Sequence, residues 1–394
     1  MRDGQVSRPV SRAGCPFACL CSALLVLLYL LTPAPAAAAG AATSSAPPLF
    51  VGVALVPLSA PLAEDVGLPT NQRGLLVLGV YKGSPAETSG LAPGDVIVKA
   101  QNSSGKTVET PDLAKFKAAI DPIPAQKPVH LTVLRAGKEV SFSIMRATGP
   151  FGPVIQPPAR TEPRTITVAA DGSGDAKTTY GAVLKSRPGD TVLLKGGEYQ
   201  ELYVWWNGLS VAPAEPGARV SVTRITIDGA SDVSIAGLSV FGTDADASQQ
   251  GISITRAARV AIKGCTVRGF MLGVDVSSST DVVLDGNTIT ENTGGIAVHG
   301  ESRAKILHNL IKGNAVARSQ QPSTFFGGIR LFGGKAEINN NTIIENRVSP
   351  DIFVKIVDDS NGFSVPGVGI HIMSFMSSTE ATIYNNIIAF NNVG

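Results

Sequence analysis

Across 251–394 short apolar runs alternate with polar residues, and the alternation restarts on glycine: GISIT at 251, GVDVS at 273, GIAVH at 295, GIRLF at 328 and GIHIM at 369. Behind each start stands a second landmark, Cys265, Asn287, Asn309, Asn341 and Asn386. Four of these have another asparagine five residues on, at Asn292, Asn314, Asn346 and Asn391. The steps 287 − 265 and 309 − 287 are both 22 residues, and insertions lengthen the later ones. Apolar residues keep fixed places around each landmark. Ile262, Leu284, Ile306, Ile338 and Ile383 lie three before it, and Val260, Val282, Ala304, Ala336 and Ala381 five before it. Val267, Ile289, Ile311, Ile343 and Ile388 lie two after it. A period of two, with no competing helical spacing, predicts short half-buried strands. A repeat in the twenties predicts a solenoid. Three short strands per coil, stacked at roughly 4.8 Å, make a parallel β-helix. The asparagines are expected at the bends, tolerating left-handed backbone and bonding coil to coil through stacked amides.

The same register extends upstream, placing Ile225 and Ile227 one coil before Ile252 and Ile254 and Leu238 in the ladder. Two columns then point outward from the strand that opens each coil: Thr226, Ser253, Asp275, Ala297, Arg330 and His371, and Asp228, Thr255, Ser277, His299, Phe332 and Met373. Neighbours on adjacent coils are about 4.8 Å apart and alternate residues along a strand about 6.6 Å. Asp275, His299, Arg330 and His371 are therefore expected in one patch, with Ala297 leaving a gap where a sugar ring could sit. Insertions at 315–327 and 347–368 precede the Arg330 and His371 strands and would wall the same face. They carry Arg318, Phe325, Phe326, Arg347, Asp351, Phe353, Lys355, Asp358 and Asp359.

With 394 residues and 44% hydrophobic content, the chain has material for two or three domains, and a net charge of +2 says little about partners. Arg2, Arg8 and Arg12 precede an apolar run from Leu20 to Leu31 and a small-residue tract from Ala34 to Ala42. This reads as a secretory signal over 1–39, with a retained anchor as the alternative; cleavage would leave no transmembrane anchor and a secreted or periplasmic protein. Cys15, Cys19 and Cys21 fall inside it, so the mature chain keeps Cys265 as a small buried filler, without a disulfide framework.

Residues 49–147 contain LFVGVALVPLSAPLAEDVGL from 49, GLLVLGVYKGSPAETSGLAPGDVIVKAQ from 74 and PDLAKFKAAI from 111. The stretch Ser84 to Asp95 reads as a helix-opening Ser84-Pro85, a Gly90 stop and a Gly94-Asp95 turn before a strand. This segment resembles a PDZ domain of the bacterial kind attached to envelope proteases. The resemblance implies that Phe50, Val51, Gly52 and Val53 present backbone amides to a peptide's C-terminal carboxylate, the peptide adding as a strand. No serine protease domain accompanies it. Residues 148–163, rich in proline and glycine, read as a semi-stiff extended linker.

From Val168 the string VAADGSGDAKTTYGAVLKSRPGDTVLLKGGEYQE resembles the opening of right-handed β-helices of the pectin-lyase-like superfamily. Ala176 to Ser186 would be a helix covering the first strand edge. The expected fold is mainly β: a PDZ domain, then a right-handed parallel β-helix over 164–394. The resemblance lies closest to uronate lyases and mannuronan epimerases and implies an active site on the outward columns and an anionic polysaccharide as partner. Such chemistry needs a cation for the carboxylate, a base and an acid. Arg330 suits the first, His299 or His371 the second, and Asp275 would orient a histidine.

The chain departs from the family in lacking a DPHD-like string, a tyrosine in these two columns and the paired aspartates of a hydrolase, since Asp228 and Asp275 are two coils apart. The acid role stays unassigned. Calcium-dependent lyases gather several acids on this face, where only Asp275 and distant Asp228 stand, so no cofactor is predicted, and calcium is an alternative without support in the residues. No zinc spacing, phosphate loop or nucleic-acid motif is present. His308 and His130 read as structural, and Arg256, Arg259, Lys263, Arg268, Arg303 and Lys305 as solvated charge that would also favour an acidic polymer. Trp205 and Trp206 could stack a sugar, although the adjoining apolar strand places at least one in a core. The alternative function is a non-catalytic glycan- or protein-binding envelope protein. The chain stops at NNIIAFNNVG after a complete ladder unit, which implies a further coil or a covering partner.

Overall fold

Alternation along each coil drives one row of side chains inward, and those rows build the larger core. In the computed structural model the described residues are 49–243, 249–314, 327–346, 369–373 and 379–391. The expected signal segment and most of both insertions lie outside them. Ile225, Ile252, Val274, Ile296 and Ile329 stack in register in one sheet, Ile235, Ile262, Leu284, Ile306 and Ile338 in a second, and Val240, Val267, Ile289, Ile311 and Ile343 in a third. The sheets have seven, nine and eight strands among the described residues, every pairing in them is parallel, and each strand pairs with its equivalent one coil away. This is the expected β-helix.

Two sequence landmarks explain each other. Asn309 Oδ1 accepts from the Asn287 backbone N–H at 2.8 Å and from Asn287 Nδ2 at 2.9 Å, while Asn309 Nδ2 donates to Leu284 O at 2.8 Å and Asn341 Oδ1 at 3.0 Å. Asn292, Asn314, Asn346 and Asn391 repeat the pattern five residues on. The opening glycines sit against this second ladder. A Cβ on Gly273 would come within 2.8 Å of Gly295 O and 2.9 Å of Asn292 Nδ2, and one on Gly295 within 2.2 Å of Gly328 O.

One expectation is corrected. The ladder asparagines do not take left-handed backbone; the residue before each does, as at Gly286 (φ 65°), His308 (φ 54°), Asn340 (φ 56°) and Asn385 (φ 55°). The bend precedes the ladder residue, which leaves its side chain free to point inward. Cys265 fills a ladder position, its N–H donating to Asn287 Oδ1, and burial pushes its thiol up to about 11, as befits an inert filler.

The PDZ segment forms a sheet in the order 53–57, 75–80, 96–101, 129–135, 138–144, with Thr107–Glu109 beside Val96–Gln101. Ser84 caps the helix Pro85–Ser89, which stops at Gly90 (φ 80°), and Asp112 caps Leu113–Ile120. Asp95 is buried, accepts from Ala92 N and is gripped by Arg135 at 2.7 and 2.6 Å.

The linker is packed rather than merely extended. Val154 is buried and bridges to Tyr81, and Lys82 N donates to Pro153 O. Val154 shares a core with Val56, Leu62, Leu76, Leu78 and Val98 of the PDZ domain and with Val183, Trp205 and Trp206 of the solenoid. Asp65 reinforces the junction, accepting from Lys177 N, Thr178 N and Thr178 Oγ1 at the start of the helix Thr179–Lys185. That helix covers the first coil, as expected.

Replacing Asn309 with Ala removes the partners of two donors and two acceptors inside the solenoid. The expected cost is about 2–4 kcal/mol, measured as a drop in denaturant midpoint, and a surface change such as Lys312→Ala should leave the midpoint within experimental scatter.

Candidate functional site

The seven-stranded sheet presents the two columns in the expected register. Ser253, Asp275, Ala297, Arg330 and His371 are successive partners, as are Thr255, Ser277, His299 and Phe332. His299 leans back one rung, and its Nε2 lies 2.7 Å from Asp275 Oδ1. The His299 side chain keeps 31% exposure and that of Asp275 14%, so the pair reaches solvent on one side. With Nε2 carrying the proton toward the carboxylate, Nδ1 is left with its lone pair as an acceptor.

Arg330 extends along its own strand, its guanidinium carbon 5.8 Å from the centre of the Phe332 ring. Burial lowers the Arg330 pKa below its usual value, while the group remains a cation. His371 is half-buried on the next rung. Burial first, then the neighbouring Arg330 charge, pulls its pKa below the ordinary 6.5. All four expected residues therefore share one face. The expected gap is smaller than the spacing implied, because Ala297 is only 2% exposed between these larger side chains. The insertions expected to wall the face lie outside the described residues, but their stems are placed: each leaves after a second-ladder asparagine, Asn314 or Asn346, and returns at Gly327 or Gly369 before a strand of this sheet.

On the first two rungs the pattern did not mark Glu201 and Arg224, and it named Asp228 and Arg256 without pairing them. Glu201 accepts from Arg224 at 2.9 and 3.0 Å and from Thr226 Oγ1 at 2.8 Å. Asp228 accepts two short bonds from Arg256, at 2.6 and 2.8 Å, and Arg256 also donates to Phe151 O. Trp205 and Trp206 are both buried at the PDZ junction, which removes both as sugar platforms. The sequence signal was LYVWW, where apolar residues fill inward and outward positions alike; such a strand is covered on both faces.

Elsewhere, His308 Nδ1 meets Asp285 at 2.8 Å on an exposed corner. A surface hollow of about 430 Å³ lies on the nine-stranded sheet, but its charges pair with each other as Lys305–Glu337 and Lys335–Glu380. Among the described residues, no three His, Cys, Asp or Glu side chains gather closely enough to hold a metal ion.

In the PDZ segment, Gly52 has φ 84°, and a Cβ there would strike Ser84 Cβ at 2.2 Å. The loop is held by its carbonyls, Val51 O accepting from Ala86 N and Gly52 O from Tyr81 N. Phe50 is exposed and Val51 buried. Val53–Pro57 is the edge strand of its sheet, beside the helix Leu113–Ile120.

With this geometry in view, the chain is a PDZ domain joined to a right-handed parallel β-helix: residues 50–145 match the PDZ domain family and residues 223–394 the right handed beta helix region family. Among curated relatives, the magnetosome formation protease MamE of Magnetospirillum gryphiswaldense is 38% identical over 111 residues, covering 27% of this chain and 13% of that protein. A probable periplasmic serine endoprotease DegP-like of Hahella chejuensis is 38% identical over 96 residues, covering 24% and 19%. The match thus spans less than a fifth of either relative. Among solved structures, an alginate lyase from Paenibacillus sp. aligns with 15% identity and a TM-score of 0.32, over 58% of this chain and 97% of that one.

The His371 shift has a definite sign. Its folded pKa lies below the unfolded value, so acidification through that range protonates the unfolded chain first, and this group's contribution to stability falls as pH drops below about 6.5. Arg330→Gln should raise the His371 pKa toward its ordinary value without fully restoring it, because burial remains. An NMR titration of the imidazole carbon shifts measures both.

Proposed function

We propose that the outward face of the seven-stranded sheet is an acid–base site acting on a uronic-acid polymer, as a lyase or an epimerase. The observation that carries the reading is the 2.7 Å bond from His299 to Asp275, with the Arg330 cation and the His371 imidazole on the two rungs beyond. Removing the proton beside a uronate carboxylate builds negative charge on that carboxylate, and a half-buried guanidinium is suited to hold it. Asp275 orients His299 so that Nδ1 can take the proton. In a lyase the electron pair forms the new double bond and expels the glycosidic oxygen, which needs a proton from an acid. In an epimerase the carbon regains a proton on its opposite face. The lowered pKa of His371 keeps it neutral near pH 7, which suits a second base better than the acid.

The PDZ segment supports a peptide-binding role beside this one. Its edge strand and glycine loop are suited to a peptide ending in a free carboxylate. The relatives named for periplasmic proteases support placement in the cell envelope, and no helix among the described residues is long and apolar enough to cross a membrane. The competing reading, a glycan-binding face without chemistry, gains support if the face binds a uronan and leaves it unchanged.

Incubating the protein with alginate and pectate should give unsaturated products seen by absorbance, or inverted uronate units seen by NMR. His299→Ala and Arg330→Ala should each lower the rate by about 100-fold or more; full activity in both variants moves the site elsewhere, and no change in any uronan leaves only binding. For the PDZ segment, a peptide library with free C-termini should contain binders by fluorescence anisotropy, and amidating the C-terminus should abolish their binding. Equal binding of amidated and free peptides rules out carboxylate capture.

A further inference from the structure

The outward columns do not run free along the whole sheet. On the first rung Leu202 and Val204 enter the solenoid core, while Tyr203 and Trp205, the outward residues between and after them, join the core shared with the PDZ domain. Trp205 is 1% exposed; its ring lies 4.9 Å from that of Tyr203, centre to centre, and closes on the backbone of Gly79, where a Cβ would meet it at 3.1 Å. On the second rung Asp228 is held by Arg256, which also grips Phe151 O, and Pro153 packs on Gly229 so closely that a Cβ there would lie 2.5 Å away. The PDZ sheet and linker therefore stand as a wall across one end of the face that carries Asp275, His299, Arg330 and His371.

From this we infer that the face is a groove closed at its PDZ end, which admits a uronan by a chain terminus rather than along its middle. The proposal rests on the acid–base reading of the site given above. Between the walled rung of Tyr203 and the rung of Asp275 stand two rungs, those of Thr226 and Ser253, and the linker meets the first of them beyond Thr226, at Gly229. Two rungs span about 10 Å, room for about two sugar units before the reacting one. Their outward groups, all half-buried, are small or already bonded: Thr226 to Glu201, Asp228 to Arg256, with Ser253 and Thr255 between them and the site. The PDZ domain then sets where along the polymer the chemistry falls, in addition to any peptide it binds.

The test uses the full chain with polymannuronate and polygalacturonate, following viscosity and the mass of products during the first few percent of conversion. The expected result is a narrow product distribution centred on two sugars, with viscosity falling only in step with product. If the reaction is inversion, the inverted units should lie within a few residues of chain ends by NMR. Ser253→Trp, which fills the rung next to that of Asp275, should shift the main product toward one sugar. A broad ladder of products with an early collapse of viscosity overturns the closed groove and leaves the acid–base site standing, as does an unchanged product pattern in Ser253→Trp. Should neither polymer react, oligomers of two to eight sugars are titrated by calorimetry. Binding that saturates per chain, independent of length, supports the closed end; binding that scales with mass overturns it; no binding overturns both this proposal and the site.

Discussion

Everything on the candidate face depends on each coil landing on the one before it without a slip. A shift of one residue in a strand would exchange its inward and outward sets, sending Val274 and Val276 to solvent and Asp275 into the core. The buried asparagine ladders oppose such slippage. Each amide bonds the coil on either side, so a slipped coil would leave several polar groups buried without partners, at a cost of about 1–3 kcal/mol for each. The opening glycines add a steric lock, since their backbones lie against the carbonyls of the next coil with no space for a side chain. Apolar stacking supplies most of the driving force, and the ladders supply the register.

The second constraint is the end of the stack. A solenoid's first coil has an open edge and an uncovered core, which invites association with other strands. Here the helix Thr179–Lys185 covers the core, with Ala182 inside it, and the PDZ domain covers the helix and the first outward residues. Asp65 ties the two, its carboxylate accepting from the amides that begin the helix, where negative charge is favoured. The strand Val53–Pro57 serves both modules. Val53 and Leu55 pack on the PDZ core, and Ala54 and Val56 on the junction with the tryptophans. A peptide added to that edge would lie beside the strand that helps to roof the solenoid.

The repeat made the solenoid legible before any coordinates: the coil length, the outward columns and their partners all follow from a pattern that recurs five times. The PDZ segment was legible from turn chemistry at Ser84, Gly90, Gly94 and Asp95. Three features were not. The left-handed residue before each ladder asparagine varies among glycine, histidine, asparagine, glutamate and phenylalanine, so no single residue type marked it. Val154 is the one linker residue buried in the shared core, an isolated apolar signal among many prolines and glycines, and the linker's other contacts run through backbone groups, Pro153, Gln156 and Arg160. The wall over Tyr203 and Trp205 arises from contact between segments more than a hundred residues apart, and only the doubly apolar strand LYVWW hinted at it.

Charge is distributed unevenly along the face. Near the wall each acid has its own cation, Glu201 with Arg224 and Asp228 with Arg256, so that end presents little net field. Beyond Asp275 the balance changes, because Arg330 and His371 stand on adjacent rungs, and burial first, then the Arg330 charge, depresses the His371 pKa. Two cations side by side in a half-buried setting repel, and His371 relieves that by staying neutral. An anionic group seated against Arg330 would relieve it differently, offsetting the guanidinium charge and making a protonated His371 less unfavourable. On the proposed reading, binding of a uronate and protonation of His371 are linked, so that the histidine is a neutral base in the free protein and a better proton donor with the anion seated.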